Sequence, residues 1–265
     1  EYELQDRSQS LNKSQDYSFQ LYLTDLFEKK KNLYEKRIIR IKEDIPDILH
    51  NLKQLVLPEQ RSKEWYDMRG NVLTASSLAT ALGKGHFGTR LDLLIDKTST
   101  EEKPFISNDI IEWGVKYEPI ATTFYEKLNQ LKIVEFGLVP HPKLTIFGAS
   151  PDGICDSDSP TDYVGRMLEI KCPPVRKFTK EVPHHYWIQM QGQLETCDLE
   201  ECDFLQVKLL EYKDDEDYNN DICLMYDNTT LMEGYSGNNL PKGLMITISY
   251  LDDKKNKTYI YEYPE

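Results

Sequence analysis

The sequence predicts an α/β or α+β domain in which a central mixed sheet is flanked by helices. Two observations favour this fold class. Apolar residues recur at spacings of three and four in several long stretches, which is the period of a helix. Short apolar runs bounded by Gly, Pro, Asp and Ser are concentrated after residue 131, which is typical of strands. The order along the chain is helix, helix, strands, helix, strands.

The first 58 residues read as a helical extension. Apolar positions across residues 17–57 follow the helical period, and Pro46 and Pro58 interrupt them. We therefore predict two parts, an N-terminal helical extension over residues 1–58 and the main domain over residues 59–265, whose C-terminal part is acidic.

Three helices are predicted in the main domain. The first is short and begins after Thr74 or Ser76, either of which is a suitable N-cap residue. The second covers residues 109–130, where Pro119 predicts a kink or a restart. The third covers residues 184–197.

Strand-like runs surround the third helix of this domain. A turn-rich segment at residues 156–165 carries Asp, Ser, Pro and Gly and is predicted to join two neighbouring strands. The predicted strands are residues 132–138, 144–149, 166–171, 204–210, 222–226, 244–251 and 258–263.

The charge of the chain is strongly acidic but unevenly placed. A formal charge of −13 argues at first against a polyanionic partner, because proteins that bind phosphates usually present Lys and Arg. Residues 201–265 hold 6 Lys and Arg against 14 Asp and Glu, so most of the excess lies there. Net charge therefore says little about the field in any one cleft, and a metal site also requires carboxylates.

Other features favour a soluble intracellular protein. No stretch approaches the roughly 18 apolar residues of a membrane helix, and residues 1–20 are polar without a signal-peptide core. The five cysteines include no CxxC pair and support neither a disulfide framework nor a zinc site. Because the chain begins at Glu1 rather than Met, we expect a fragment of a longer protein.

The chemistry is concentrated in Ser150-Pro151-Asp152-Gly153 and in Glu169-Ile170-Lys171, where Glu169 follows Asp152 by 17 residues. Side chains alternate along a strand, so Glu169 and Lys171 share a face. If Asp152 lies alongside Glu169, two carboxylates and the Ile170 backbone carbonyl converge as hard oxygen ligands suited to Mg²⁺ or Mn²⁺. Lys171 would then orient or deprotonate a water, or stabilise charge on a scissile phosphate.

Each of these features alone has a simpler interpretation. Asp152-Gly153 after Pro151 is a common turn, and Glu169 with Lys171 is the pattern of a solvated strand face.

Together with their neighbours, these residues resemble the PD-(D/E)xK nucleases, and within them the lambda exonuclease branch, also called the YqaJ-like viral recombinases. The resemblance covers about residues 59–210 and leaves the N-terminal helices and the acidic C-terminal part unmatched. It depends on the Ser-Pro-Asp-Gly and Glu-Ile-Lys-Cys-Pro segments and on three others in order, at residues 65–76 (WYDMRGNVLTAS), 113–118 (WGVKYE) and 186–191 (YWIQMQ).

The resemblance implies a restriction-endonuclease-like core and a role for each matching residue. It implies that Asp152 and Glu169 bind two divalent ions, that Lys171 works on the attacking water, that Glu118 adds a carboxylate and that Gln189 holds the geometry.

The resemblance also implies a pocket for a terminal 5′-phosphate, formed by Arg69, Ser76 and Ser150. This assignment is chemically reasonable, because Arg offers a planar bidentate fork and Ser76 lies at a predicted helix start.

The implied activity is degradation of one strand of linear duplex DNA, 5′ to 3′ from a phosphorylated end, leaving 3′ overhangs for recombination, repair or replication. The implied partners are duplex DNA with a free end, a single-strand annealing protein and further copies of the chain, in host cytoplasm or nucleus if the protein is viral. The alternatives are an endonuclease or RNA-degrading relative on the same scaffold, or a catalytically idle binding module that uses the helices of residues 17–57.

Overall fold

A computed structural model of the protein describes residues 24–40, 43–99, 108–225, 230–251 and 257–264. The chain folds as two compact units. The first comprises Glu1–Thr100, Asn129–Glu169 and Glu181–Asp203, and the second comprises Glu101–Leu128, Ile170–Lys180 and Phe204–Glu265. The predicted boundary at residue 58 stays a prediction.

Eight helices occur in the described residues. They are α1 (residues 24–40), α2 (Ile45–Gln54), α3 (Lys63–Asn71), α4 (Ala75–Ala81), α5 (Arg90–Thr98), α6 (Asp109–Asn129), α7 (His184–Cys197) and α8 (Asp215–Asn220).

Nine strands accompany these helices in the same described ranges. They are β1 (Leu73–Thr74), β2 (Ile133–Val134), β3 (Val139–Pro140), β4 (Phe147–Ala149), β5 (Gly153–Cys155), β6 (Met167–Lys171), β7 (Cys202–Gln206), β8 (Ile246–Leu251) and β9 (Lys257–Glu262). Together with the helices they confirm the predicted mixed fold class.

The strands form three sheets. One has the order β1-β4-β3 and is mixed, because β1 is parallel to β4 whereas β3 is antiparallel to it. A second has the order β2-β5-β6-β7, and its strand β6 carries the predicted Glu-x-Lys segment. The third is the hairpin β8-β9. The predicted central sheet is therefore divided into two small sheets.

The helix predictions are largely accurate. The predicted helix over residues 184–197 is confirmed as α7. α6 runs without a break through Pro119, so the predicted restart there is wrong. The part of the predicted extension before residue 24 lies outside the described residues.

Several strand predictions are corrected: the strand predicted over 132–138 is limited to Ile133–Val134, and the one predicted over 204–210 lies at Cys202–Gln206. The strand predicted from Leu144 begins only at Phe147, because the buried His141 ring accepts hydrogen bonds from the backbone amides of Lys143 and Leu144 and holds a turn there. The strand predicted over 222–226 is reduced to one bridge between Leu224 and Leu231.

The main core of the first unit includes part of the predicted N-terminal extension. In α2, Ile45, Leu49 and Leu52 lie on one face at helical spacing and are buried. They join Ile154 of β5 and Met167 of β6 in one apolar cluster. α2 is therefore part of the layer that supports β5 and β6.

None of the described helices is both long enough and apolar enough to span a bilayer.

Gly137 marks a close backbone approach in the first unit. A Cβ atom at this position would lie 2.5 Å from the Pro58 carbonyl oxygen and 3.1 Å from Leu57 Cβ. Because backbone would have to move, we expect Gly137→Ala to lower the free energy of unfolding by about 1–3 kcal/mol. Urea denaturation followed by tryptophan fluorescence measures it.

The matched control is Gly114→Ala in α6, where an added Cβ meets nothing within 4 Å. Alanine has the higher helix propensity, so this variant should be neutral or up to about 1 kcal/mol more stable. Equal unfolding midpoints for the two variants would contradict the close approach at Gly137.

Candidate active site

The centre of the candidate site is the Glu169 carboxylate on β6, which is 0% exposed. Its Oε1 atom accepts a hydrogen bond from Gln189 Nε2 at 2.7 Å, and its Oε2 atom accepts one from Gln193 Nε2 at 2.8 Å. A buried carboxylate is stable only when hydrogen bonds replace its water, and here two side-chain amides do so.

Helix α7 supplies both amides because Gln189 and Gln193 are four residues apart and lie on the same face. Between them, Gly192 allows a close approach, since a Cβ there would lie 3.1 Å from Leu78 Cδ2 and 3.1 Å from Phe147 Cζ. Gln191 is exposed and takes no part. Only Gln189 was predicted as a site residue. The four-residue spacing is the signal that identifies Gln193.

Asp152 lies immediately before β5 and is half-buried. In the antiparallel pairing of β5 with β6, Gly153 is the partner of Leu168 and Ile154 is the partner of Met167. If this register is extended by one residue, Asp152 lies opposite Glu169. Side chains that face each other directly across two paired strands are neighbours.

Ser150 adds polar atoms beside the buried carboxylate. Its backbone oxygen accepts a hydrogen bond from Gln193 Nε2 at 3.3 Å, the same nitrogen that bonds Glu169. Ser150 Oγ and Gln193 Oε1 are both buried and make no hydrogen bond within the described residues. Gln193 therefore links Ser150 to Glu169.

The next residues of β6 belong to the second unit. Ile170 is buried, whereas Lys171 is half-buried. Lys171 Nζ donates a hydrogen bond to the Ile170 carbonyl oxygen at 3.0 Å. The Lys171 carbonyl accepts one from the Val207 amide at 3.0 Å, so the backbone here is fixed while the ammonium group lies near its own strand.

Glu118 lies in α6 of the second unit and is half-buried. The preceding residues anchor this turn, because both Lys116 and Tyr117 make hydrogen bonds to Glu211. Burial and then the Glu211 hydrogen bond raise the pKa of the Tyr117 phenol, so it stays a donor at neutral pH.

Arg69 and Ser76 lie together in the first unit. Arg69 Nη2 donates to Ser76 Oγ at 3.2 Å, and the guanidinium lies 4.5 Å from the centre of the Trp65 ring. Burial lowers the pKa of Arg69, with Tyr66 acting in the opposite direction. Because an arginine side chain is not deprotonated in proteins, the group stays charged near neutral pH.

Lys97 is a second cation at this place that sequence reasoning missed. Its ammonium group donates a hydrogen bond to the Arg69 carbonyl oxygen. Burial, followed by the charge on Arg69, lowers the pKa of Lys97. It lies in α5, a helix that was not predicted, so nothing in the sequence placed it near Arg69. Ser150 Oγ, predicted for the same pocket, makes no hydrogen bond to Arg69 or Ser76.

The donor types in the first unit fit a hard cation. Asp152 and Glu169 offer carboxylate oxygens, the ligands that Mg²⁺ and Mn²⁺ prefer. Within the described ranges, no group of three or more His, Cys, Asp or Glu side chains is placed to hold a metal ion. A cation here would therefore need backbone or water oxygens besides these two carboxylates.

Comparison with known proteins gives one family match. The YqaJ-like viral recombinase domain matches residues 64–200, a range that contains Asp152, Glu169 and the two glutamines that bond Glu169.

Two viral proteins are similar in sequence. The chain is 32% identical to the uncharacterized protein R354 of Acanthamoeba polyphaga mimivirus, over 96% of this chain and 48% of that protein. It is 25% identical to a protein of African swine fever virus, over 52% of this chain and 46% of that protein. The chain thus spans about half the length of the curated relatives it matches.

Two solved structures of one enzyme, LHK-Exo, are similar to this chain. The alkaline exonuclease LHK-Exo from Laribacter hongkongensis is 21% identical and aligns with a TM-score of 0.45, over 77% of this chain and 83% of that chain. A structure of LHK-Exo in complex with dAMP is 28% identical and aligns with a TM-score of 0.43, over 55% and 73% of the two chains.

The two hydrogen bonds to Glu169 predict a large effect at Gln193. We expect Gln193→Leu to lower the free energy of unfolding by about 2–3 kcal/mol, because a buried carboxylate oxygen loses its donor. Gln191→Leu, on the exposed side of the same helix, should change it by less than about 0.5 kcal/mol. Urea denaturation measures both variants.

A double-mutant cycle with Glu169→Leu isolates the interaction. The effects of Gln193→Leu and Glu169→Leu should be non-additive by at least about 1 kcal/mol, since the second change removes the acceptor that the first leaves unpaired. Additive effects would mean that the hydrogen bond contributes nothing measurable.

Proposed function

The chain belongs to the YqaJ-like viral recombinase domain family, and from this premise we propose that it is a metal-dependent nuclease that hydrolyses phosphodiester bonds of DNA. The observation that carries the proposal is the buried Glu169 carboxylate, held by two amides with Asp152 set opposite it. Two carboxylates on neighbouring strands offer hard anionic ligands of the kind that a divalent cation prefers. A purely structural strand would have little use for a buried carboxylate.

The proposed ligands for Mg²⁺ or Mn²⁺ are Asp152, Glu169 and the backbone carbonyl of Ile170. Glu118 is added from the family motif alone. When bound, divalent ions would supply Lewis-acid stabilisation of the charge that develops on the scissile phosphate. The proposed role of Gln189, which Gln193 supplements, is to fix the orientation of the Glu169 carboxylate.

The proposed role of Lys171 is to position the attacking water and to accept its proton, or to stabilise the phosphate charge. It follows Glu169 by two residues on β6, so the strand alternation directs both side chains to the same face. Its Nζ atom donates a hydrogen bond to the Ile170 carbonyl oxygen, one of the proposed metal ligands, which keeps the ammonium group close to Glu169 along the strand.

A 5′-phosphate pocket is proposed around Arg69 and Ser76, with Ser150 added from the family motif. The support is that Arg69 and Ser76 are already hydrogen-bonded to each other beside a second cation, Lys97. A charged fork with hydroxyl donors nearby suits a terminal phosphate dianion.

The finer features of the activity depend on family membership. We propose digestion of one strand in the 5′ to 3′ direction, with 3′ overhangs left for viral recombination, repair or replication. A single-strand annealing partner, a homo-oligomer and a place in host cytoplasm or nucleus belong to the same proposal.

The test is digestion of linear duplex DNA with and without a 5′-phosphate, beside closed circular DNA, in Mg²⁺, in Mn²⁺ and in EDTA. We expect loss of the phosphorylated linear DNA with either metal and not in EDTA, with the circle intact. Lys171→Ala, prepared in parallel, should abolish cleavage while DNA affinity in EDTA is retained, which excludes a contaminating nuclease.

The other outcomes select other functions. A cut circle would indicate an endonuclease, and digestion of RNA would indicate a ribonuclease on the same scaffold. Lack of cleavage in both metals, with DNA binding retained, would favour a binding module. Unchanged turnover in Lys171→Ala would refute the proposed role of that residue.

Arg69→Gln tests the phosphate pocket separately. We expect kcat/KM on 5′-phosphorylated ends to fall about 10- to 100-fold, since a charge-assisted hydrogen bond contributes about 1.5–3 kcal/mol. The rate on 5′-hydroxyl ends should be little changed. Lys63→Gln, the same charge change at an exposed position of α3, is the control and should affect neither end. An equal loss on both kinds of end would place Arg69 outside the phosphate pocket.

A further inference from the structure

Helix α1 lies outside the family match and projects from the first unit. All residues from 24 to 36 are exposed, and the last described turn makes ion pairs with other described residues of the unit. There Arg37 forms an ion pair with Glu201 at 2.9 Å, and Arg40 forms one with Glu200 at 2.8 Å. These ion pairs attach the last described turn of the helix, and more than three turns before it are exposed.

The charge of α1 is opposite to that of the chain. Residues 24–40 contain six Lys and Arg against three Asp and Glu, whereas the whole chain has a formal charge of −13. Lys29 is paired with Asp25 at 2.8 Å. Lys30 and Lys31 have no acidic partner among the described side chains, so their charge is available to a ligand.

Four of the exposed residues form a stripe, which we call the aromatic-lysine stripe: Phe27, Lys30, Lys31 and Tyr34. They occur at i, i+3, i+4 and i+7, so they lie on one face of the helix. The Phe27 side chain is 69% exposed and Tyr34 is 54% exposed. Two cations thus lie between two rings along about two turns.

We propose that the aromatic-lysine stripe binds single-stranded nucleic acid. The lysines match the phosphates in charge, and the rings match unpaired bases, whose faces are open for stacking. Duplex DNA hides its base faces in the stack, so it would leave Phe27 and Tyr34 exposed. The proposal rests on the proposed function, since digestion of one strand leaves a single strand to be held.

The test uses the full chain in EDTA, so that binding is measured without cleavage. Fluorescence anisotropy gives the Kd for a labelled dT oligomer and for a blunt duplex hairpin of similar charge, over a series of salt concentrations. The variants are Phe27→Ala with Tyr34→Ala, and Lys30→Gln with Lys31→Gln.

The two variants should weaken nucleic-acid binding in different ways. Loss of both rings should weaken binding of the dT oligomer about tenfold or more, since stacking contributes about 1–3 kcal/mol per base, and should leave the hairpin within about twofold. Loss of both lysines should lower the slope of log Kd against log salt by about 0.7 for each phosphate that a lysine no longer neutralises.

The control is Lys132→Gln with Lys143→Gln, which removes the same charge from two exposed positions elsewhere in the first unit. It should leave the affinity for the dT oligomer and its salt slope near those of the unchanged protein. An equal effect of the control and the α1 lysine variant would overturn the proposal, because only net charge would then matter.

Binding of a different partner to the stripe would give a different experimental result. If the ring variant keeps its affinity for the dT oligomer but loses self-association by light scattering, the stripe is an interface between copies and the proposal is wrong. If it loses only binding to anionic vesicles, the stripe binds membrane and the proposal is equally wrong.

The same experiment separates this inference from the proposed nuclease. If a ring variant still cleaves DNA in Mg²⁺ and binds the dT oligomer with wild-type affinity, only the proposed role of the stripe is refuted. If the wild-type protein neither cleaves DNA nor binds the hairpin, the proposed nuclease function is refuted. Its affinity for the dT oligomer would still test whether the stripe binds single-stranded nucleic acid.

Discussion

A carboxylate without solvent must find its hydrogen bonds inside the protein, and Glu169 finds them on one helix. Gln189 and Gln193 reach its two oxygens only if α7 lies over β6 in one rotation about its axis, because a turn of the helix by one residue would present Met190 or Leu194 instead. That rotation also directs Gly192 towards Leu78 and Phe147. The same rotation of α7 therefore satisfies both its packing against the core and the hydrogen bonds of Glu169.

The candidate site is assembled from short strands. β5 has three residues and β6 has five, yet their register sets Asp152 opposite Glu169. The apolar cluster beneath, to which α2 contributes, includes residues of both strands and so stabilises their pairing.

Sequence reasoning succeeded where the signal is local. The helical period of apolar residues in α7 and the alternation of side chains in β6 can be recognised from neighbouring residues alone. Both elements were predicted with nearly the observed bounds. It failed where tertiary contacts decide. The His141 turn shortens a strand, Lys97 meets Arg69 through a helix that was not predicted, and Gln193 becomes important only because Glu169 lies opposite it.

The burial of Glu169 also affects how this protein unfolds. Since the hydrogen bonds of that carboxylate are complete only when α7 is docked, undocking of the helix would expose a charged group and open the core at Gly192 in the same event. Helix and site should therefore melt as one cooperative unit, with no intermediate that keeps an ordered site on a loosened domain. Amide protons of β6 and α7 would then exchange with solvent together.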